Sequence, residues 1–143
     1  MAASTWSFYN MAKEYIGDAT IDLDTDVFYM ALFLSSSNAS TATLITYASL
    51  TNEVASVNKY TQGGKSVAKT WATGASASER RWDSTAIIWT ASGGSISGVK
   101  YAVIYASGGQ LLVWSKLSTA AFSITDTNTL TVTPSANGYF ELN

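Results

Sequence analysis

The chain has 143 residues, a net charge of −2, and neither cysteine nor histidine. This length fits a single domain spanning residues 1–143, which would bury roughly 70% of its unfolded surface. The absence of cysteine excludes disulfides and thiolate metal sites, and the absence of histidine removes the most common general base and metal ligand. Composition therefore favours a non-enzymatic protein without a metal or other cofactor.

The surface is expected to carry few charges. Charged residues make up 13% of the chain, against about 25% in a typical globular protein. A polar surface of low charge costs little to desolvate, which favours assembly with a partner. Nucleic acid is not expected as that partner, because phosphate binding needs clustered basic residues and only Arg80 and Arg81 are adjacent.

No membrane-spanning or targeting segment is predicted. Met1–Trp6 is small and polar and lacks the basic and apolar regions of a signal peptide. The longest apolar run, Val27–Leu34, is far shorter than the ~20 residues that span a bilayer. We therefore expect a soluble protein without a membrane partner.

One helix is predicted near the start of the chain, over about residues 7–17. Ser7 is the expected N-cap, and Gly17 is expected to end the helix in a left-handed conformation. The apolar residues at helical spacing are Phe8, Met11, Ala12 and Tyr15.

The rest of the first half is predicted as strands and loops. Thr20–Leu23 is predicted as a short strand, and Val27–Leu34 as a central strand covered on both faces. Ser35–Thr43 is predicted as a polar loop and Leu50–Val54 as a helical turn.

The second half of the chain is predicted to form a series of short strands. The Gly108-Gly109 pair is a hairpin signal, and Leu130 and Val132 alternate with threonines as in a half-buried strand. Eight or nine short strands predict a mainly β chain, an antiparallel β-sandwich with one N-terminal helix, and the jelly roll is one form of it. The predicted strands are Lys65–Thr73, Arg81–Thr90, Val99–Ala106, Leu111–Leu117, Ala121–Thr125, Thr129–Thr133 and Gly138–Leu142.

Asp22, Asp24 and Asp26 have the spacing of the first half of a calcium loop. An EF-hand continues with glycine at position six and glutamate at position twelve, where this chain has Val27 and Phe33. A solvated turn at the end of a strand is therefore favoured over a metal site.

Two segments are candidate partner contacts. Arg80, Arg81 and Trp82 lie in a locally charged segment, which fits either an exposed edge strand guarded by charge or a contact rich in arginine and tryptophan. Trp6 and Tyr9 lie near one end of the sequence. Trp6 fits either a hydrophobic staple on the helix or an anchor into a neighbouring subunit.

The order of features resembles a group of small virion structural proteins of tailed bacteriophages, over nearly the whole chain. The segments that carry the resemblance are Trp6–Lys13, Ile21–Leu23, Phe28–Leu34, Tyr47–Val54, Lys59–Lys65, Ile87–Gly94, Tyr101–Tyr105 and Ser135–Phe140.

This resemblance implies a capsid cement or decoration protein at the virion surface. Such a protein is non-enzymatic, binds the major capsid protein in many copies, and is often a dimer or trimer. Two alternatives stay open: a receptor- or glycan-binding module of a tail or fibre, and a tail or connector subunit. The plentiful tryptophans also fit sugar stacking, although Trp89 and Trp114 lie among aliphatic residues typical of a core.

Overall fold

A computed structural model describes residues 5–74 and 76–142. The first four residues of the predicted N-terminal segment lie outside this range. Among the described residues, the helix α1 (Asn10–Gly17) is accompanied by a short 3-10 turn (Tyr47–Ser49) and eleven strands. The strands are β1 (Ser7–Phe8), β2 (Phe28–Leu34), β3 (Lys65–Ser66), β4 (Lys69–Thr73), β5 (Arg80–Ser84), β6 (Ile87–Thr90), β7 (Ile96–Ala106), β8 (Leu111–Lys116), β9 (Phe122–Ile124), β10 (Thr129–Val132) and β11 (Phe140–Leu142).

The strands form antiparallel sheets, so the predicted mainly β, sandwich-like architecture is confirmed. In the described residues the largest sheet has the order β1-β8-β7-β2-β3, with β9 also pairing with β7. A second sheet has the order β11-β5-β4, and β10 pairs with β6. These sheets hold six, three and two strands, which is not the jelly-roll division into two sheets of about four strands each.

Aromatic side chains join the largest sheet to the three-stranded sheet. Phe28 of β2 meets Trp82 of β5 edge-to-face, with ring centroids 5.0 Å apart. Phe8 of β1 lies 4.6 Å from Phe140 of β11. Trp6 packs edge-to-face on Tyr139 at 4.9 Å. Residues from the two ends of the described chain therefore share one hydrophobic cluster with the central strands.

The strand β7 has eleven residues and pairs with different strands along its length. Its first residues pair with β9, and the residues from Val99 onward pair with β2, with β8 joining from Tyr101. Gly98 has a φ of 77° at the register shift between these parts. A left-handed residue at a bulge is the usual role of glycine in a strand.

Several sequence predictions are confirmed. β2 is buried along most of its length, and Ser35–Thr43 contains no strand or helix. Leu130 and Val132 point inward at 4% and 0% exposure. Gly109, with a φ of 96°, donates to the Ala106 carbonyl in the turn between β7 and β8.

Other local predictions are wrong. Ser7 does not cap a helix, because Ser7 and Phe8 form β1 and pair with Trp114 and Val113 of β8. Tyr9 holds the N-cap position, and the left-handed residue after the helix is Ala19, with a φ of 63°, rather than Gly17.

Three further boundaries differ from prediction. Thr20–Leu23 is bend and turn rather than a strand, and Leu50–Val54 contains no helical turn because Glu53 bridges to Phe33 of β2. The predicted strand Lys65–Thr73 is divided into β3 and β4, and Arg81–Thr90 into β5 and β6.

Candidate interaction surface

Three of the five predicted contact residues lie in the core. Trp6 is 7% exposed, and Tyr9 and Trp82 are 0% exposed. The Tyr9 hydroxyl donates to the Ala39 carbonyl at 2.5 Å, and the Trp82 indole donates to the Leu23 carbonyl at 3.1 Å. All three side chains pack within this chain, and the contact surface described below does not include them.

The two predicted arginines differ in exposure. Arg80 is exposed, and its guanidinium donates to the carbonyls of Ala77 and Glu79. Arg81 is half-buried, with an ion pair of 3.3 Å to Asp83 and a hydrogen bond of 2.8 Å to the Ala136 carbonyl. Only Arg80 therefore offers a guanidinium at an open surface.

The interpretation of this segment as an edge strand is wrong. β5 is the central strand of its sheet, with β4 on one side and β11 on the other. The sequence shows which residues form a strand but not which strands flank it. Both edges of this sheet, β4 and β11, have no further strand partner in the described residues.

Exposed side chains of the three strands meet at one end of this sheet. Arg80 lies opposite both Thr73 and Leu142, and directly opposite residues share a face. Trp71 precedes Thr73 on the same face and is 39% exposed, while Leu142 is 44% exposed. We call Trp71, Thr73, Arg80 and Leu142 the edge patch. It combines two large apolar groups with one arginine, a composition typical of protein interfaces.

A second cluster surrounds the carboxylate of Glu53 and was not predicted. The carboxylate accepts hydrogen bonds from the Tyr47 hydroxyl, from the Tyr60 hydroxyl at 2.8 Å and from the Gly63 amide at 2.7 Å. The Tyr60 hydroxyl in turn accepts from the Leu32 amide of β2 at 2.9 Å. We call Tyr47, Glu53 and Tyr60 the tyrosine–carboxylate cluster.

This cluster fixes the loop between β2 and β3. The backbone of Glu53 bridges to Phe33, and the Val54 amide donates to the Leu32 carbonyl at 3.0 Å. The polar contacts of the carboxylate go to tyrosines and an amide rather than to a second carboxyl group. A glycosidase pair, in contrast, needs two carboxyl groups flanking a bond. The arrangement therefore anchors a loop and offers no acid–base pair.

Burial raises the pKa of the tyrosines of this region. Burial first, and then the neighbouring Glu53 carboxylate, raises the pKa of Tyr47 and of Tyr60 well above the ordinary tyrosine value. The same two causes raise the pKa of Tyr105 to about 12. These hydroxyls therefore stay protonated, and able to donate hydrogen bonds, to a higher pH than an exposed tyrosine would.

The stability of the fold should fall at alkaline pH. Unfolded tyrosines ionise near pH ~10, whereas the folded pKa is about 12 for Tyr105 and, mainly through burial, for Tyr139. Between these two pH values the unfolded state binds fewer protons than the folded state. The two tyrosines therefore make their full contribution to the free energy of unfolding below about pH 10, and this contribution is lost as the pH rises to about 12. Denaturant unfolding followed at increasing pH measures this, and Tyr139→Phe should flatten the slope. A free energy of unfolding that stays constant over this interval would contradict the prediction.

The aspartates of the predicted turn contact backbone amides. Asp22 accepts from the amides of Asp24 at 2.9 Å and Thr25 at 3.1 Å, and Asp26 accepts from the Asp22 amide at 2.9 Å. Hydrogen bonds from the Thr25 side chain and from these two amides lower the pKa of Asp22. These contacts are those of a turn, and no group of three acidic side chains in the described ranges is arranged to hold a metal.

A shallow hollow on the six-stranded sheet bears on the glycan alternative. It has a volume of about 290 Å³ and is lined by Thr5, Ser40, Tyr101, Trp114 and Lys116. The rings of Tyr101 and Trp114 are inclined at 71°, with centroids 6.4 Å apart, and both residues lie on strands. The two rings therefore do not form a coplanar platform on which a sugar could stack.

No family model, curated protein or solved structure matches this chain. Within the described residues, no helix has the length and apolar character needed to cross a membrane.

Proposed function

We propose that the chain is a non-enzymatic structural protein of a bacteriophage virion, a cement or decoration protein that binds the major capsid protein in many copies at the capsid surface. The observation that carries the binding role is the edge patch. Trp71 and Leu142 are exposed there beside Arg80, on a sheet whose two edges lack strand partners in residues 5–74 and 76–142. The capsid lattice, as partner, comes from the sequence resemblance.

The chemistry of the chain agrees with a binding role. The carboxylate of Glu53 accepts three hydrogen bonds and holds a loop in place. Charged residues form 13% of the chain, so covering its surface desolvates few charges. Arg80 is an exception, since its guanidinium is exposed and can bond carbonyl or carboxylate groups of a partner.

The copy number of the chain in purified virions tests this function. We expect a number comparable to that of the major capsid protein, measured by quantitative mass spectrometry of purified particles, and no affinity for free sugars. A few copies per particle would overturn the cement function and favour the tail, fibre or connector alternatives. Few copies together with sugar binding would favour the glycan-binding module.

Variants of Arg80 link the edge patch to that binding. Arg80→Ala should weaken binding of the purified chain, measured on particles from which the chain is missing, by about thirtyfold, because interface hot spots are rich in arginine and contribute about 2 kcal/mol or more. Lys59→Gln is the matched control, since Lys59 is also exposed and lies on a loop. Equal binding by Arg80→Ala and Lys59→Gln would remove Arg80 from the capsid contact.

A further inference from the structure

The free edge of β4 presents backbone groups to solvent. The Gly74 amide donates to the Glu79 carbonyl at 3.0 Å, in line with the register that places Thr73 opposite Arg80. Hydrogen-bonded and non-bonded pairs alternate in an antiparallel ladder, so Ala72 and Thr70 also direct their amides toward β5. Trp71 and Thr73 then direct theirs away from β5. The Trp82 carbonyl, opposite Trp71, accordingly bonds the Tyr139 amide at 2.8 Å on the β11 side.

We propose that this edge pairs with the same edge of a second copy of the chain, in antiparallel orientation and with Trp71 on the twofold axis. Trp71 then lies opposite Trp71 of the second copy, and Lys69 lies opposite Thr73. This inference rests on the proposed function and deepens it, because it names the surface by which a decoration protein would self-associate. Trp71 is then covered by the second copy, and Arg80 on β5 and Leu142 on β11 are the residues of the edge patch left for the capsid protein. The sheets of the two copies join into one sheet of six strands.

The sequence of β4 complements itself in this register. Its single charged residue, Lys69, faces an uncharged threonine, so no like charges meet directly. The Lys69 ammonium is also held within its own chain, donating to the Asp26 carbonyl at 2.6 Å. The outward amides and carbonyls of Trp71 form a reciprocal pair of hydrogen bonds with those of its counterpart, and Thr73 adds one bond on each side to the Lys69 carbonyl.

The apolar groups fit the same arrangement. Trp71 is 39% exposed although it occupies the core-facing side of its sheet, because no neighbour covers it at the edge. Beside it lies a hollow of about 320 Å³ lined by the apolar residues Ile16, Ala19, Ile21 and Leu23 and by the carboxylate-bearing Asp22 and Asp24. A second Trp71 ring at the twofold axis covers this exposed indole, and paired aromatic rings across strands stabilise a sheet.

The opposite edge of the same sheet lacks these properties. A self-pair of β11 centred on its middle residue places Glu141 opposite Glu141, which is destabilising. β4 carries no proline and no central charge, the usual devices that keep an edge strand unpaired. Self-association is therefore assigned to β4 rather than to β11.

Charge exchange at position 71 tests the twofold register. Sedimentation analysis of the wild-type chain should give the mass of two copies, whereas Trp71→Lys and Trp71→Glu should each give single copies, because like charges then meet on the axis. Mixing the two variants should restore a dimer that contains one copy of each. Ile88→Lys is the matched control, since Ile88 is 47% exposed on β6, and it should remain dimeric.

Amide exchange of the wild-type chain gives a second measurement that requires no variant. Protection of the Trp71 and Thr73 amides should increase with protein concentration, while the Thr70 and Ala72 amides should be protected at all concentrations. A wild-type chain that stays monomeric up to millimolar concentration, or a dimer that persists in both charged variants, would overturn the proposal. Particle binding by a monomeric wild-type chain would overturn the dimer and leave the proposed function intact.

Discussion

Replacing Trp82 with alanine is expected to lower the free energy of unfolding by about 3–5 kcal/mol, since removal of a buried large aromatic side chain leaves a cavity. Trp82 is 0% exposed, and its ring contacts those of Phe28, Tyr139 and Phe140. It is the centre of the contact between the six-stranded and three-stranded sheets. Denaturant unfolding followed by circular dichroism measures the loss.

Trp71 is a matched control, because it lies directly opposite Trp82 in the β4–β5 ladder and differs mainly in exposure. Trp71→Ala, measured in dilute solution where self-association is negligible, should cost about 1 kcal/mol or less. Trp82→Phe keeps an aromatic ring but loses the indole hydrogen bond to the Leu23 carbonyl, and should fall between the two. Equal losses at positions 71 and 82 would contradict the described packing.

Replacing Glu53 with glutamine is expected to lower the free energy of unfolding by about 2–3 kcal/mol, because hydrogen bonds to a charged acceptor are stronger than those to a neutral amide. The carboxylate accepts from three donors, the hydroxyls of Tyr47 and Tyr60 and the Gly63 amide. An amide side chain has one carbonyl oxygen to offer them, and its NH₂ group faces a donor. Thermal and denaturant unfolding of the variant check this.

A double-mutant cycle separates the Glu53–Tyr60 interaction from other effects. Tyr60→Phe removes both the bond to Glu53 and the acceptor for the Leu32 amide. Glu53→Gln and Tyr60→Phe together should therefore cost less than the sum of the two, with a coupling of about 1–3 kcal/mol. Glu14→Gln on the exposed face of α1 is the control and should be neutral. Strict additivity would show that the two side chains do not act as one unit.

The parts of the fold that could be predicted are those encoded by neighbouring residues. The apolar run of β2 and the alternation around Leu130 and Val132 could be predicted because each apolar residue type indicates a buried position. The turn at Gly108-Gly109 could be predicted because Gly109 has a positive φ, a conformation that glycine adopts more readily than other residues. Each of these signals depends on a few adjacent side chains.

The wrong predictions depend on distant partners. Ser7 and Phe8 carry the pattern of a helix start, but pairing with Trp114 and Val113 of β8 draws them into a strand. Local propensity is weak compared with such tertiary contacts. The helix therefore begins at Asn10, after the paired residues.

The candidate surface could be predicted only in part, because it too depends on residues that are distant in the sequence. Arg80 is exposed, but Trp82, two residues further along the same face of β5, is buried, because alternation on a strand does not reveal which part of a face the core covers. Trp71 and Glu53 were not chosen as contact or site residues. Their roles depend on an open sheet edge and on tyrosines brought together by the loop after β2, neither of which leaves a local pattern.

The contacts of Trp6 with Tyr139 and of Phe8 with Phe140 also affect how the chain folds during synthesis. Almost the entire described chain separates the partners in each pair, so forming them requires closing a very long loop. While the ribosome is still adding the residues before Tyr139, the rings of Trp6 and Phe8 lack these partners and Trp82 lacks two of its three ring contacts. The hydrophobic cluster around Trp82 is therefore completed only after the segment that contains Tyr139 and Phe140 has been synthesised.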